Sequence, residues 1–160
     1  MSSVSQLMLG RISKEEFLTI NSITDIAAEI ERWLSMAYQN HNADEVDEGI
    51  YLLFVFELFD VRYVDILHRL LLSTWHYKHE DIVILLERIS SLKSLDYLYD
   101  AIDLCPLYLK DEDNYVFEVK CVRAIYYIGK DKAYTYLEKL CLHENEVVRE
   151  MAKRQIEKIQ

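Results

Sequence analysis

The sequence predicts an all-α fold: a right-handed α-α superhelix of about four helical hairpins preceded by a short N-terminal helix. Three observations carry that expectation. The 160 residues include three glycines and one proline, fewer than sheets or phosphate-cradling loops use. Apolar residues recur at helical spacing along nearly the whole chain. The helices also pair off, with second members starting near Glu45, Glu80, Asn114 and Glu146, a unit of about 35 residues that falls among the helix-turn-helix repeats. No one of these helices can bury its apolar face alone, so each needs neighbours of its own kind.

Taken in order, Ser13-Lys14-Glu15-Glu16 is a capping box ahead of Phe17, Leu18 and Ile20, which predicts a short helix. Ser22 or Thr24 is expected to cap a longer helix carrying Ile26, Ile30, Trp33, Leu34 and Ala37. Asn42, with Glu45 three residues on, opens a helix whose run Ile50 to Phe59 is apolar on most sides, as in the interior of a packed array. Beyond a joint at Asp60 to Tyr63, one helix carries Val64, Leu67, Leu70, Leu71 and Trp75, and the next Ile82, Val83, Leu85, Leu86 and Ile89. Ser94 reads as the cap of a helix through Leu95, Leu98, Ala101, Ile102 and Cys105, which Pro106 stops. Pro106 to Asp113 is the one long loop. The last third is the best patterned. Val119, Val122, Ile125 and Ile128 form one stripe, Ala133, Leu137, Leu140 and Cys141 a second, and Val148, Ala152, Ile156 and Ile159 a third. The expected hairpins cover residues 22–59, 61–91, 94–129 and 131–159 of a single domain, 1–160.

Length and composition suit this architecture. A chain of this size buries about 70% of its unfolded surface, and 51% of its residues are apolar, which excludes general disorder. The net charge is −10, divided as −7 over residues 1–80 and −3 over residues 81–160. That sign argues against a direct nucleic-acid binder, which needs a basic groove for phosphates. An acidic surface is better suited to a basic partner. Cys105, Cys121 and Cys141 are odd in number, far apart and each in a predicted helix, which suits buried thiols in a reducing compartment. The start MSSVSQLMLGRISKEE lacks an export pattern, and no apolar run is long enough for a bilayer, so a cytoplasmic protein without membrane contact is expected.

Val119-Lys120 with Ala124 and Ile128-Gly129, and Val147-Val148-Arg149 with Ala152, Ile156 and Ile159, resemble the second helix of a HEAT-type repeat. The first two hairpins lack the valine-arginine signature, and the usual proline of the first helix is absent. A narrower resemblance covers residues 67–160. Trp75-His76, His79-Glu80-Asp81-Ile82, Leu98-Tyr99-Asp100-Ala101, Asp111-Glu112-Asp113-Asn114, Lys120-Cys121 and Ile128-Gly129 look like small bacterial HEAT-like proteins, many of them immunity proteins of polymorphic toxin systems. That resemblance implies an antidote that binds and blocks a cognate toxin domain. The alternative is a general scaffold or regulatory adaptor without a toxin partner.

The residues themselves offer one candidate surface. All four second helices start among carboxylates: Asp44, Glu45, Asp47 and Glu48; Glu80 and Asp81; Asp111, Glu112 and Asp113; Glu144 and Glu146. In a stacked array these ends line one edge. Compensation of helix dipoles, worth about 0.3–1 kcal/mol per exposed end, explains any one cluster but does not require four carboxylates at one end. Tyr108 and Tyr115 flank the acidic loop and would add aromatic anchors to electrostatic steering. Partner contact is therefore expected at Glu80, Asp81, Tyr108, Asp111, Glu112, Asp113, Tyr115, Glu144 and Glu146, with a basic toxin domain as the partner. His76 and His79 beside Glu80 straddle a helix start without further ligands at a recognised spacing, so they read as packing and capping groups rather than a metal site. No serine elbow, phosphate loop or framed carboxylate pair points to catalysis, a cofactor or a small-molecule substrate.

Overall fold

The structure is a computed structural model that describes residues 1–110 and 114–159. Among those residues every regular element is helical and there is no strand. The chain divides into two compact units, Met1–Leu58 and Phe59–Gln160.

In the first unit, α1 (Ser3–Met8) packs against α2 (Lys14–Ile20), and α3 (Ile26–Gln39) against α4 (Ala43–Val55). The Ser13 capping box is complete. Its hydroxyl accepts the Glu16 amide at 3.1 Å, and the Glu16 carboxylate accepts the Ser13 amide at 2.7 Å. Asn42 caps α4 by accepting the Glu45 amide at 3.2 Å. The cap of α3 is neither Ser22 nor Thr24 but Asp25, whose carboxylate accepts the Ala28 amide at 3.1 Å. Phe17 is wholly buried, with the Phe56 ring 6.1 Å away. Gly49 lets α3 and α4 approach, since a Cβ there would stand 2.4 Å from Leu34 Cδ2.

Ser22 has a different task. It ends α2 at φ 52°, where its amide and that of Ile23 return to the carbonyls of Thr19 and Leu18. The same left-handed turn closes α1 at Gly10, α3 at His41 and α4 at Glu57. Only α1 uses glycine. An L side chain in this region crowds the following carbonyl, at roughly 1–2 kcal/mol per residue. Glu57 is exposed, so Glu57→Gly sacrifices no packing. Allowing for the extra freedom glycine gives the unfolded chain, the substitution is expected to add about 0.5–1 kcal/mol of stability. An unchanged or lowered urea midpoint for the full chain would contradict this.

The second unit opens with a 3-10 turn, Val61–Tyr63, that runs into α5 (Val64–Leu71) and is followed by α6 (His79–Ile89) and α7 (Ser94–Leu104). A second 3-10 turn, Leu107–Leu109, precedes α8 (Val116–Gly129), and a third, Lys130–Ala133, leads into α9 (Tyr134–Leu140) and α10 (Glu146–Ile159). Consecutive helices pair as α5 with α6, α7 with α8, and α9 with α10. Across the pairs, α5 packs on α7, α6 on α8, and α8 on α10. Leu67, Leu70, Ile82, Leu85, Leu98 and Val122 are wholly buried between them, each worth about 1.5–3 kcal/mol over exposure.

Four details of this unit depart from expectation. Trp75 lies beyond the end of α5, in the turn before α6. Ser94 does not cap α7; it lies in the first turn, wholly buried, with its hydroxyl 2.9 Å from His68 Nε2. A buried histidine has fewer alternative partners than a helix end in water, so it claims the hydroxyl. Cys105 and Cys141 sit just past α7 and α9 rather than inside them; Cys121 is inside α8, and none of the three forms a disulfide. Ile156 and Ile159, expected inside, are half-buried, while Gln155 is buried. Its amide tolerates that place because Met151 Sδ and Lys158 Nζ, both about one turn away, take its polar atoms.

Candidate functional site

The site is built on the tips of the three hairpins in the second unit, where α5 turns into α6, α7 into α8 and α9 into α10. The first tip is closed by two buried histidines. His76 Nε2 lies 2.7 Å from the Leu70 carbonyl, and its Nδ1 accepts the Lys78 amide at 3.1 Å. His79 Nε2 lies 2.5 Å from the Ser73 carbonyl. Carbonyls only accept, so each ring carries its proton on Nε2 and offers Nδ1 as an acceptor. The rings stack with centroids 4.1 Å apart. They thereby hold the carbonyl end of α5 against the start of α6.

Tyr108 extends this closure to the second tip. Its hydroxyl accepts the His79 amide at 3.2 Å and donates to His79 Nδ1 at 3.0 Å, so it caps α6, which has no cap of its own. Burial lowers the affinity of His76 and His79 for a proton, and for His79 the neighbouring His76 adds to the effect, bringing it to about 4. Burial also pushes the Tyr108 hydroxyl up to about 12, helped by the negative charges of Glu80 and Asp81. His68 is lowered by burial too, more than nearby Asp65 raises it, and it stacks on Tyr97 at 3.9 Å.

The third tip is tied to α7. His143 Nε2 donates to the exposed Asp103 carboxylate at 2.8 Å, while its Nδ1 accepts the Asn145 amide at 3.0 Å. Asn145 in turn caps α10 through the Val147 amide at 2.8 Å. Arg149 Nη1 closes the turn on the His143 and Glu144 carbonyls, each at 2.8 Å.

The expected contact residues fall into three groups. Glu80 and Asp81 open α6 beside Tyr108, but neither is free: Lys120 reaches Glu80 at 3.1 Å and Lys78 reaches Asp81 at 3.4 Å. These half-exposed pairs contribute less than about 1 kcal/mol each, yet they reduce the acidic excess there. Glu144 and Glu146 are exposed at the start of α10. Tyr115 is exposed at the entry to α8, with a left-handed φ of 50°. Asp111, Glu112 and Asp113 lie outside the described residues.

Sequence reasoning passed over the apolar side chains of these tips. Leu142 is 86% exposed, Leu107 79% and Tyr77 70%, and Leu104 is also largely in solvent. Tyr77 meets Tyr108 edge to face at 5.3 Å. Leu142 adjoins His143, and Leu104 adjoins its partner Asp103. The signal was available: Leu107 follows the helix-stopping proline, and Leu142 falls off the stripe of its helix.

All four nitrogens of His76 and His79 are engaged, as described above, and among the described residues no group of three or more His, Cys, Asp or Glu side chains could hold a metal ion. Among them, too, no helix is long and apolar enough to cross a membrane. Burial raises the Cys121 thiol well above its ordinary range, which leaves it protonated. No family model, no curated protein and no solved structure matches the chain.

Proposed function

We propose that this chain is a non-enzymatic protein-binding module, built as a HEAT-like right-handed superhelix, and that it acts as a cytoplasmic bacterial immunity protein neutralising a basic toxin domain. The observation that carries the binding role is the edge formed by the hairpin tips of the second unit. There, Glu80 and Asp81 stand near the exposed Tyr108, Tyr77 packs on that ring, and Asp103, Glu144 and Glu146 are themselves exposed. Helical packing has no need of exposed aromatic groups in solvent, whereas an interface does. The pairing of successive hairpins and the steps Val119-Lys120 and Val148-Arg149 support the repeat architecture. The toxin partner rests on the resemblance of residues 67–160 alone.

The test has two arms. Purification of the tagged chain from its host, followed by mass spectrometry, should return a basic protein that is toxic when expressed alone and harmless when co-expressed. Reversing Asp111, Asp113, Glu144 and Glu146 to lysine should slow association with that protein about tenfold at low salt. Helical circular dichroism should be retained. A partner of acidic character, or an association rate indifferent to the four reversals, would refute the surface.

A further inference from the structure

The exposed apolar side chains of the tips belong to different turns, and side-chain contacts join those turns. His79 bonds Tyr108, Tyr77 packs on Tyr108, and His143 bonds Asp103. Leu107 adjoins Tyr108 of the first bridge, Leu104 and Leu142 adjoin Asp103 and His143 of the second, and the short stretch from Leu104 to Tyr108 runs from one bridge to the other. Exposure of single leucines is ordinary. Exposure of several at two bridges joined by one short stretch of chain, while the neighbouring Leu109 turns into the core, marks a contact surface. Its rim decides the occupant: Asp103, Glu144 and Glu146 are exposed carboxylates, and Lys78 and Lys120 are already committed to Asp81 and Glu80.

We infer that these side chains form the anchoring patch of the interface and take an amphipathic segment of the partner that carries large apolar residues interleaved with lysine or arginine. The inference rests on the binding role proposed above and names the chemistry recognised there. On it, the carboxylates steer the encounter and the leucines hold the complex. Charge at an exposed rim acts chiefly on association rate, while desolvated apolar and aromatic anchors carry most of the affinity.

Synthetic peptides of equal length test this on the full chain. One alternates leucine and lysine on helical faces, one replaces leucine with serine, and one replaces lysine with glutamate. Trp33→Phe leaves Trp75, next to Tyr77, as the fluorescent reporter. The Trp33 indole N–H is buried without a hydrogen-bond partner, so phenylalanine is tolerated there. The leucine-lysine peptide should bind at least about tenfold more tightly than either of the others. Leu107→Ser with Leu142→Ser should remove that advantage through faster dissociation. Both side chains are in solvent, so the fold is retained, and circular dichroism checks it. Equal binding of the serine-lysine and leucine-lysine peptides would overturn the anchoring patch and leave the acidic surface standing. Equal binding of the leucine-glutamate peptide would overturn the charge assignment. Failure of all three would remove the surface itself.

Discussion

At pH 5 the protein is expected to be about 2 kcal/mol less stable than at pH 7, from His79 alone. His79 binds a proton near 4 when folded and near 6.5 when its ring is in water. Between those values the unfolded chain holds a proton that the folded chain refuses, so acidification pulls the equilibrium toward unfolding. The loss begins as pH falls through 6.5 and is complete near 4. His76 and His68 are shifted the same way by burial and add to it. The geometry gives the reason in molecular terms. A second proton would place a charge on a wholly buried ring stacked on His76, and would set Nδ1 competing for the Tyr108 oxygen that already accepts the His79 amide. Urea midpoints at pH 7, 6 and 5 check this, with His79→Gln as a control whose pH slope should be shallower whatever its starting stability. Equal wild-type midpoints at pH 7 and 5 would sink the idea.

The second large effect is expected at Gly129. Its backbone, φ −84° and ψ −30°, suits any residue, so the glycine is required by space rather than by conformation. A Cβ there would stand 2.8 Å from the Ala133 Cβ and 3.3 Å from Leu95 Cδ1. The leucine can turn away; the alanine Cβ is fixed to a buried backbone and cannot. Overpacking of this kind costs about 1–3 kcal/mol, of which the better helix propensity of alanine returns up to about 1. Gly129→Ala should therefore lower stability by about 1–2 kcal/mol. Ala133→Gly reopens the gap, so the pair should couple by about 1 kcal/mol in a double-mutant cycle. Simple additivity would show that the contact is not the cause.

Much of the helical layout was readable because its causes are local. Ser13 with Glu16 and Asn42 with Glu45 are complete in four residues, and the stripes through Leu67, Ile82, Leu98 and Val122 follow from helical spacing. Where several residues compete for one task, reading fails. Ser22, Thr24 and Asp25 could all cap α3, and the choice fell to Asp25 because Ser22 was needed to end α2. Ser94 was misread for a related reason, since its partner His68 lies 26 residues away in the chain. The candidate site was half readable. Charge is visible residue by residue, so the acidic helix starts stood out. That Lys120 would cover Glu80, or that Leu107 and Leu142 would face solvent, depends on distant parts of the chain meeting.

The Tyr108 cap on α6 has a consequence for how the second unit assembles. The hydroxyl that finishes α6 lies 29 residues beyond His79, past the whole of α7. During synthesis, the chain through α6 leaves the ribosome with that helix end still open, and the end closes only when the Leu107–Leu109 turn arrives. The hairpin of α5 and α6 is thus completed by a residue that follows α7, so opening at the first tip is coupled to the second. Loosening of the Leu107–Leu109 turn is felt first at the amide of His79, 29 residues upstream of Tyr108.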